Sequence, residues 1–236
     1  MSDNLIQLRT GQTTITGETT TDGDLIFGRA TRDGSLFTAP WIMGLVMQGK
    51  VFQAQVGSFL TPIVGGGAGT IPDADQPEFG MTVPTGTTIL PLAIKVQALA
   101  PLITTDSHYT LITAAADLSG AASLTGTWAN TITPVNCLTG CGVSSLCTVK
   151  SVASADMTVA PTESLVLAKE TFNTDVQGTA ADAAYYRMVM DYNVAINPPV
   201  FIKGGGNGLF IHWGGSIAMY AYAQVVWAEI PTNKLY

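Results

Sequence analysis

Apolar and polar positions alternate with a period of two along much of this chain. The clearest run places Leu90, Leu92, Ile94, Val96 and Ala98 on one face and Pro91, Lys95 and Gln97 on the other, which predicts a strand. Pro91 cannot donate to a ladder, so an edge or a bulge is expected there. Residues 50–59 follow the same rule, with Phe52, Ala54 and Val56 on one face and Gln53 and Gln55 on the other. Further strands are expected over 79–83, 109–115, 127–135, 146–153, 164–170 and 187–196, the last broken by Pro198 and Pro199. Residues 200–202 and 209–213 flank the glycine-rich stretch 203–208, a pattern that predicts a hairpin with glycines at positive φ.

One segment departs from the period of two. Residues 39–49 place Trp41, Leu45 and Gln48 at helical spacing, with Pro40 suited to the first turn and Gly49 to the end. This short helix is apolar all round, so it belongs in a core or at an interface. The last strand, 218–230, carries Tyr220, Tyr222, Val226 and Ile230 on one face and Met219, Ala221, Ala223, Val225 and Trp227 on the other. Both faces are apolar. The sandwich core would cover one, and the helix, the N-terminal arm or a second subunit the other. Six side chains of the helix and this strand, Trp41, Met43, Val46, Tyr220, Tyr222 and Trp227, are the expected subunit contacts.

Residues 1–24 lack a core pattern and read as an extended arm with a turn at Asp22-Gly23. Residues 25–236 read as a single domain without internal repeats. Many strands punctuated by glycine and proline predict an all-β fold, an antiparallel β-sandwich of the jelly-roll type.

Composition narrows the function. Of 236 residues, 47% are hydrophobic and only 11% charged, where a soluble domain has roughly 25% charged residues. A surface of Thr, Ser, Gln, Asn, Gly and Ala costs little to desolvate against another copy. The net charge is −7 and the ten basic residues are scattered, which argues against a direct grip on nucleic acid. The first residues lack the basic and apolar regions of a signal peptide, and no apolar run is long enough for a membrane helix. The expected setting is a cytoplasm, left by lysis if at all.

Candidate chemistry is sparse. Cys137, Cys141 and Cys147 stand in a C-x3-C-x5-C spacing, which is compatible with free thiols, with one disulfide and a leftover thiol, or with a metal site short of a fourth ligand. His212 lies between Ile211 and Trp213 and reads as a satisfied core or interface histidine. His108 sits in a polar segment with Asp106 and Ser107, but a catalytic triad is assembled by geometry between separate elements. Asp73, Asp75 and Glu78 form an acidic loop or a weak calcium site, without the EF-hand pattern. Gly65 to Gly69 are followed by Thr70-Ile71-Pro72 in place of the Lys-Ser/Thr of a phosphate loop. No catalytic, cofactor or metal residue is therefore assigned, and the chain reads as a non-enzyme that needs no cofactor.

The pattern Gly28-Arg29-Ala30-Thr31-Arg32-Asp33-Gly34, the helix with Trp41, Gln76-Pro77-Glu78-Phe79, the stretch Pro84 to Thr88 with Pro91-Leu92, and the closing Gln224 to Pro231 resemble virion proteins of tailed phages and environmental viruses. These look like single jelly-roll capsid (shell) or cement (decoration) proteins. The resemblance implies a mechanical role in the virion, assembled in the host cytoplasm. Copies would pack side by side, most often as a homotrimer, with termini clasping neighbours and with other capsid proteins as partners. The alternative is a receptor- or glycan-binding β-sandwich of a tail or spike. It would use exposed aromatics in the long segment 116–147, around Trp128.

Overall fold

The computed structural model describes residues 7–9, 25–27, 41–65, 73–99, 108–124, 126–153, 157–174, 187–215 and 219–235. Strands β1 (Gln7–Arg9) and β2 (Leu25–Phe27) pair antiparallel with each other. The rest of the expected arm, Pro40, and most of the Gly65 to Gly69 loop lie outside the described residues.

Helix α1 (Trp41–Met47) leads into β3 (Val51–Val56). Its end is set by Gly49 at φ 67°. The Gly49 N–H donates to Val46 O at 2.9 Å and the Lys50 N–H to Leu45 O at 3.0 Å, a Schellman closure that needs this left-handed residue. The expected helix terminus is thus met. Strands β4 (Ile63–Val64), β5 (Phe79–Thr82), β6 (Thr87–Leu99) and β7 (His108–Asp117) follow. Next come β8 (Trp128–Ile132), β9 (Val135–Asn136) and β10 (Thr148–Ala153), then β11 (Leu165–Thr174) and β12 (Arg187–Asn193). The chain closes with β13 (Ile202–Lys203), β14 (Gly208–Gly215), β15 (Tyr220–Pro231) and a 3-10 turn over Thr232–Lys234.

Two sheets pack face to face, in the orders β12-β6-β15-β3-β9 and β11-β7-β14-β5-β10-β8. Eight of these strands carry the topology: β3, β5, β6, β7, β11, β12, β14 and β15. Counted one to eight along the chain, one sheet reads first, eighth, third, sixth, and the other second, seventh, fourth, fifth. All pairings are antiparallel. That interleaving of two Greek keys is a jelly roll, as the strand pattern predicts. The segment between β7 and β11 is an excursion. Its strands β8 and β10 extend one sheet and β9 the other.

The core lies between the sheets, with Phe52, Phe79, Met81, Ile112, Ile211, Trp213 and Trp227 among its largest members. A second, smaller cluster lies on the outer face of the β12-β6-β15-β3 sheet. There Leu45, Ile42 and Val46 of α1 cover Leu90, Leu92, Val194, Ala228 and Val226.

Four expectations are corrected. Leu90 and Leu92 do not share a face with Ile94, Val96 and Ala98. The first two sit in the outer cluster and the others in the main core, together with Ile89. The cause is a β-bulge: Val226 pairs with Ala93 and Trp227 with Pro91, leaving Leu92 as the extra residue. The proline therefore marks a bulge in a central strand, not an edge. Residues 200–213 do not form a hairpin either. β13 pairs with β6 in one sheet, while β14 pairs with β5 and β7 in the other. The glycines do supply positive φ, at Gly205 and Gly206, but in a connection that crosses between sheets. The single strand expected over 127–135 is split into β8 and β9, in different sheets, on either side of Pro134. Finally, the strand buried on both faces throughout is β14, not β15. β15 is buried on its core face, but its other face is open at Tyr220 and Gln224.

Candidate interaction surface

The buried carboxylates are occupied by the fold. Glu229 lies at the end of the core face of β15. Its Oε1 accepts from Trp227 Nε1 at 3.0 Å and from the Ser145 hydroxyl, and its Oε2 accepts from the Leu146 N–H at 2.9 Å. One side chain thus holds the far end of the excursion against the last strand. Asp117, also buried, accepts from the Ser119 N–H at 2.9 Å and the Thr162 N–H at 3.1 Å, closing the base of the same excursion. Glu78 accepts from the Trp213 N–H at 2.9 Å and is buried, so the acidic stretch 73–78 is not a solvated loop throughout. Among the described residues, no group of three or more His, Cys, Asp or Glu side chains is placed to hold a metal ion.

Each of these carboxylates also accepts from a backbone N–H far away in sequence, Leu146 for Glu229, Thr162 for Asp117 and Trp213 for Glu78, and the sequence alone does not reveal such a partner. One signal was present: Glu229 interrupts the apolar run 225–230, and a carboxylate inside a buried run needs partners. Glu229→Gln keeps the size but turns an NH2 group toward the donors that the carboxylate satisfied. The expected loss is about 2 kcal/mol in urea unfolding, with faster proteolysis between 138 and 146. Unchanged stability and cleavage would remove Glu229 as the anchor.

The three cysteines are free thiols. Cys147 is buried, and Cys137 and Cys141 are half-buried. Burial pushes the Cys147 thiol well above its usual range, and the negative Glu229 beside it adds to this. Burial also raises Cys137. Thiols held in the protonated form are poor nucleophiles and poor metal ligands.

His212 is buried on the outer side of β14, beneath the 73–76 segment. Its Nε2–H donates to Ala74 O at 3.2 Å. Nδ1 has no partner, and neither has the hydroxyl of Thr113, which is paired with His212 across β14 and β7. The histidine is therefore satisfied at one nitrogen only. His108 opens β7, and its neighbours Asp106 and Ser107 lie outside the described residues. Trp128 is half-buried at the start of β8. A Cβ added at Gly80 would fall 2.6 Å from its Cη2, so the indole rests on that glycine.

What the surface does expose is apolar bulk. Around α1, Trp41, Met43, Met47, Ile196 and Phe201 face solvent. At the other end of β15, Phe59, Leu60, Val64 and Tyr220 do the same. Two clefts flank Ile230. One, about 290 Å³, lies between Lys50, Thr87, Val143, Leu146 and Pro231. The other, about 320 Å³, is lined by Trp41, Leu90, Val194, Pro199, Phe201 and Ile230. Of the six expected contact residues, Trp41, Met43 and Tyr220 are exposed, and Val46 and Tyr222 are half-buried. Trp227 is fully buried in the core and cannot touch a neighbour. Its parity puts it on the inner face, a distinction that two apolar faces do not reveal.

Among the described residues, no helix is long and apolar enough to cross a membrane. Comparison of the chain with protein-family models, with curated proteins and with solved structures gives no match.

Proposed function

We propose that this chain is a virion structural subunit, forming or decorating a capsid, that acts by self-assembly. The observation that carries the reading is the retention of large apolar side chains in water on a closed jelly roll. Trp41, Met43, Met47 and Phe201 cluster around α1 on an outer sheet face. A monomer gains nothing from such exposure, whereas an assembling subunit buries it. The jelly roll is an architecture of viral shells, although lectins and cupins use it too, so the fold alone does not choose. The carboxylates with resolved partners support a passive role, since the oxygens of Glu229 and Asp117 accept from the protein's own donors. The low charge favours dry contacts between copies, most simply in a homotrimer seated among other capsid proteins.

Sedimentation of the purified full chain tests this reading. The expected result is a concentration-dependent oligomer, a trimer or larger, that co-sediments with particles. A compact monomer at every concentration, or one that cleaves or binds sugar, overturns it.

A further inference from the structure

Phe59 and Leu60 stand at the tip of a clamped turn. The Ser58 N–H donates to Thr61 O at 3.1 Å, and the Thr61 N–H donates back to Ser58 O at 3.2 Å. The two hydroxyls are 2.8 Å apart. Turn tips favour Gly, Asn, Asp, Pro and Ser, yet this one presents Phe59 and Leu60 at 68% and 86% exposure. The knob is already ordered, so little conformational freedom would be lost on seating it.

The structure also holds a matching cleft. Its six lining residues, Trp41, Leu90, Val194, Pro199, Phe201 and Ile230, carry no charge, and Trp41 and Phe201 form half-exposed aromatic walls. A closed apolar cavity of about 150 Å³ takes one benzene ring. A cleft of about 320 Å³ has room for a phenyl and an isobutyl group together. The two features lie at opposite ends of β15. Val56, just before the knob, pairs with Ala223, whereas Ile230 lines the cleft. Seven residues of strand separate them by roughly 23 Å, so they cannot meet within one molecule.

We propose that copies of this chain associate head to tail, the Phe59-Leu60 knob of one copy seated in the Trp41–Phe201 cleft of the next. The proposal rests on the assembly reading above and names its contact. Neither surface carries a charge, so two copies of a chain with net charge −7 can meet here without desolvating an ion or opposing like charges at the contact. Two different patches make a heterologous interface, which closes into a ring or runs on as an open array according to the rotation between copies.

The test uses two surface variants of the full chain, each checked for folding by circular dichroism. Phe59→Asp with Leu60→Asp removes the knob and leaves the cleft. Trp41→Asp spoils the cleft and leaves the knob, and an Asp in the first turn suits the helix. Each alone is expected to self-associate about 30-fold or more weakly than the wild type. Mixed, they should form one-to-one heterodimers and nothing larger, because only one productive knob and one productive cleft remain. If the Asp pair unfolds the turn, Phe59→Ser with Leu60→Ser takes its place. A wild type that assembles while the knob variant assembles equally well overturns this contact and leaves the assembly reading standing. So does a mixture of folded variants that never pair. A wild type that is monomeric at all concentrations overturns both.

Discussion

Trp227→Ala lowers the stability of the isolated subunit by about 3–5 kcal/mol, the usual cost of emptying a core tryptophan site. The side chain is fully buried between the sheets, and its ring lies 6.3 Å from that of Phe52 with a 34° tilt. Its truncation leaves a cavity bounded by strands of a closed sandwich, which have little freedom to collapse into it. A second loss comes from the Nε1–H, which donates to Glu229 at 3.0 Å. Without that donor the carboxylate keeps the Ser145 hydroxyl and the Leu146 N–H, and the end of the excursion is held less firmly. Trp227→Phe separates the two contributions, because it restores most of the ring volume and not the N–H. It should fall between wild type and alanine, with excursion proteolysis nearer the alanine variant. Tyr220→Ala, on the exposed face of the same strand, should change stability by no more than about 0.5 kcal/mol. Urea unfolding at low protein concentration reads all three. A loss under about 1 kcal/mol for Trp227→Ala, with assembly weakened instead, would place the indole at a subunit contact and contradict the core assignment.

That contrast between Trp227 and Tyr220 shows what was legible in the residues. The alternation along 218–230 gives the strand and divides its residues correctly between two faces. It does not say which face is inside, because Tyr220, Tyr222 and Val226 are as apolar as Ala221, Ala223 and Val225. Packing decides, through α1 and the bulge at Leu92, and both depend on distant partners. The bulge is half legible: Pro91 announces an irregularity, but the switch of Leu90 and Leu92 to the outer cluster follows only from the register against β15. The glycine-rich stretch 203–208 likewise announces a turn and not its partners. A hairpin and a crossover between sheets ask the same backbone freedom of Gly205 and Gly206. The winding of eight strands into a jelly roll was legible as a class because strand number and spacing limit the choices. The surface features were not. Phe59 and Leu60 fall in a short apolar run whose exposure depends on a turn closed by Ser58 and Thr61.

His212 should make the fold lose about 3 kcal/mol between pH 6.5 and pH 4. Burial pushes its imidazole down to about 4 from 6.5, against the smaller opposing pull of the Ala74 carbonyl and the negative Asp73. The neutral ring is the one that fits. Its Nε2–H donates to Ala74 O, and Nδ1 is buried with no hydrogen-bond partner to receive a second proton. In the unfolded chain the same imidazole takes a proton as the pH drops through 6.5, while the folded protein takes one only near 4. Over that window the unfolded state binds more protons, so stability falls as the pH falls. Above pH 6.5 the contribution is fully present. Below 4 both states are protonated and the decline from this group ends. Carboxylates titrate in part of the same range, so the comparison is with His212→Gln, whose amide can still donate to Ala74 and does not titrate. Urea unfolding at pH 7, 5.5 and 4 should give the wild type the steeper decline, by about 3 kcal/mol across the series. Parallel declines in the two proteins would show that His212 is not held neutral. If the prediction holds, the 73–76 segment that covers the ring should lose its protection from hydrogen exchange first, since the Ala74 carbonyl is the imidazole's one hydrogen-bond partner.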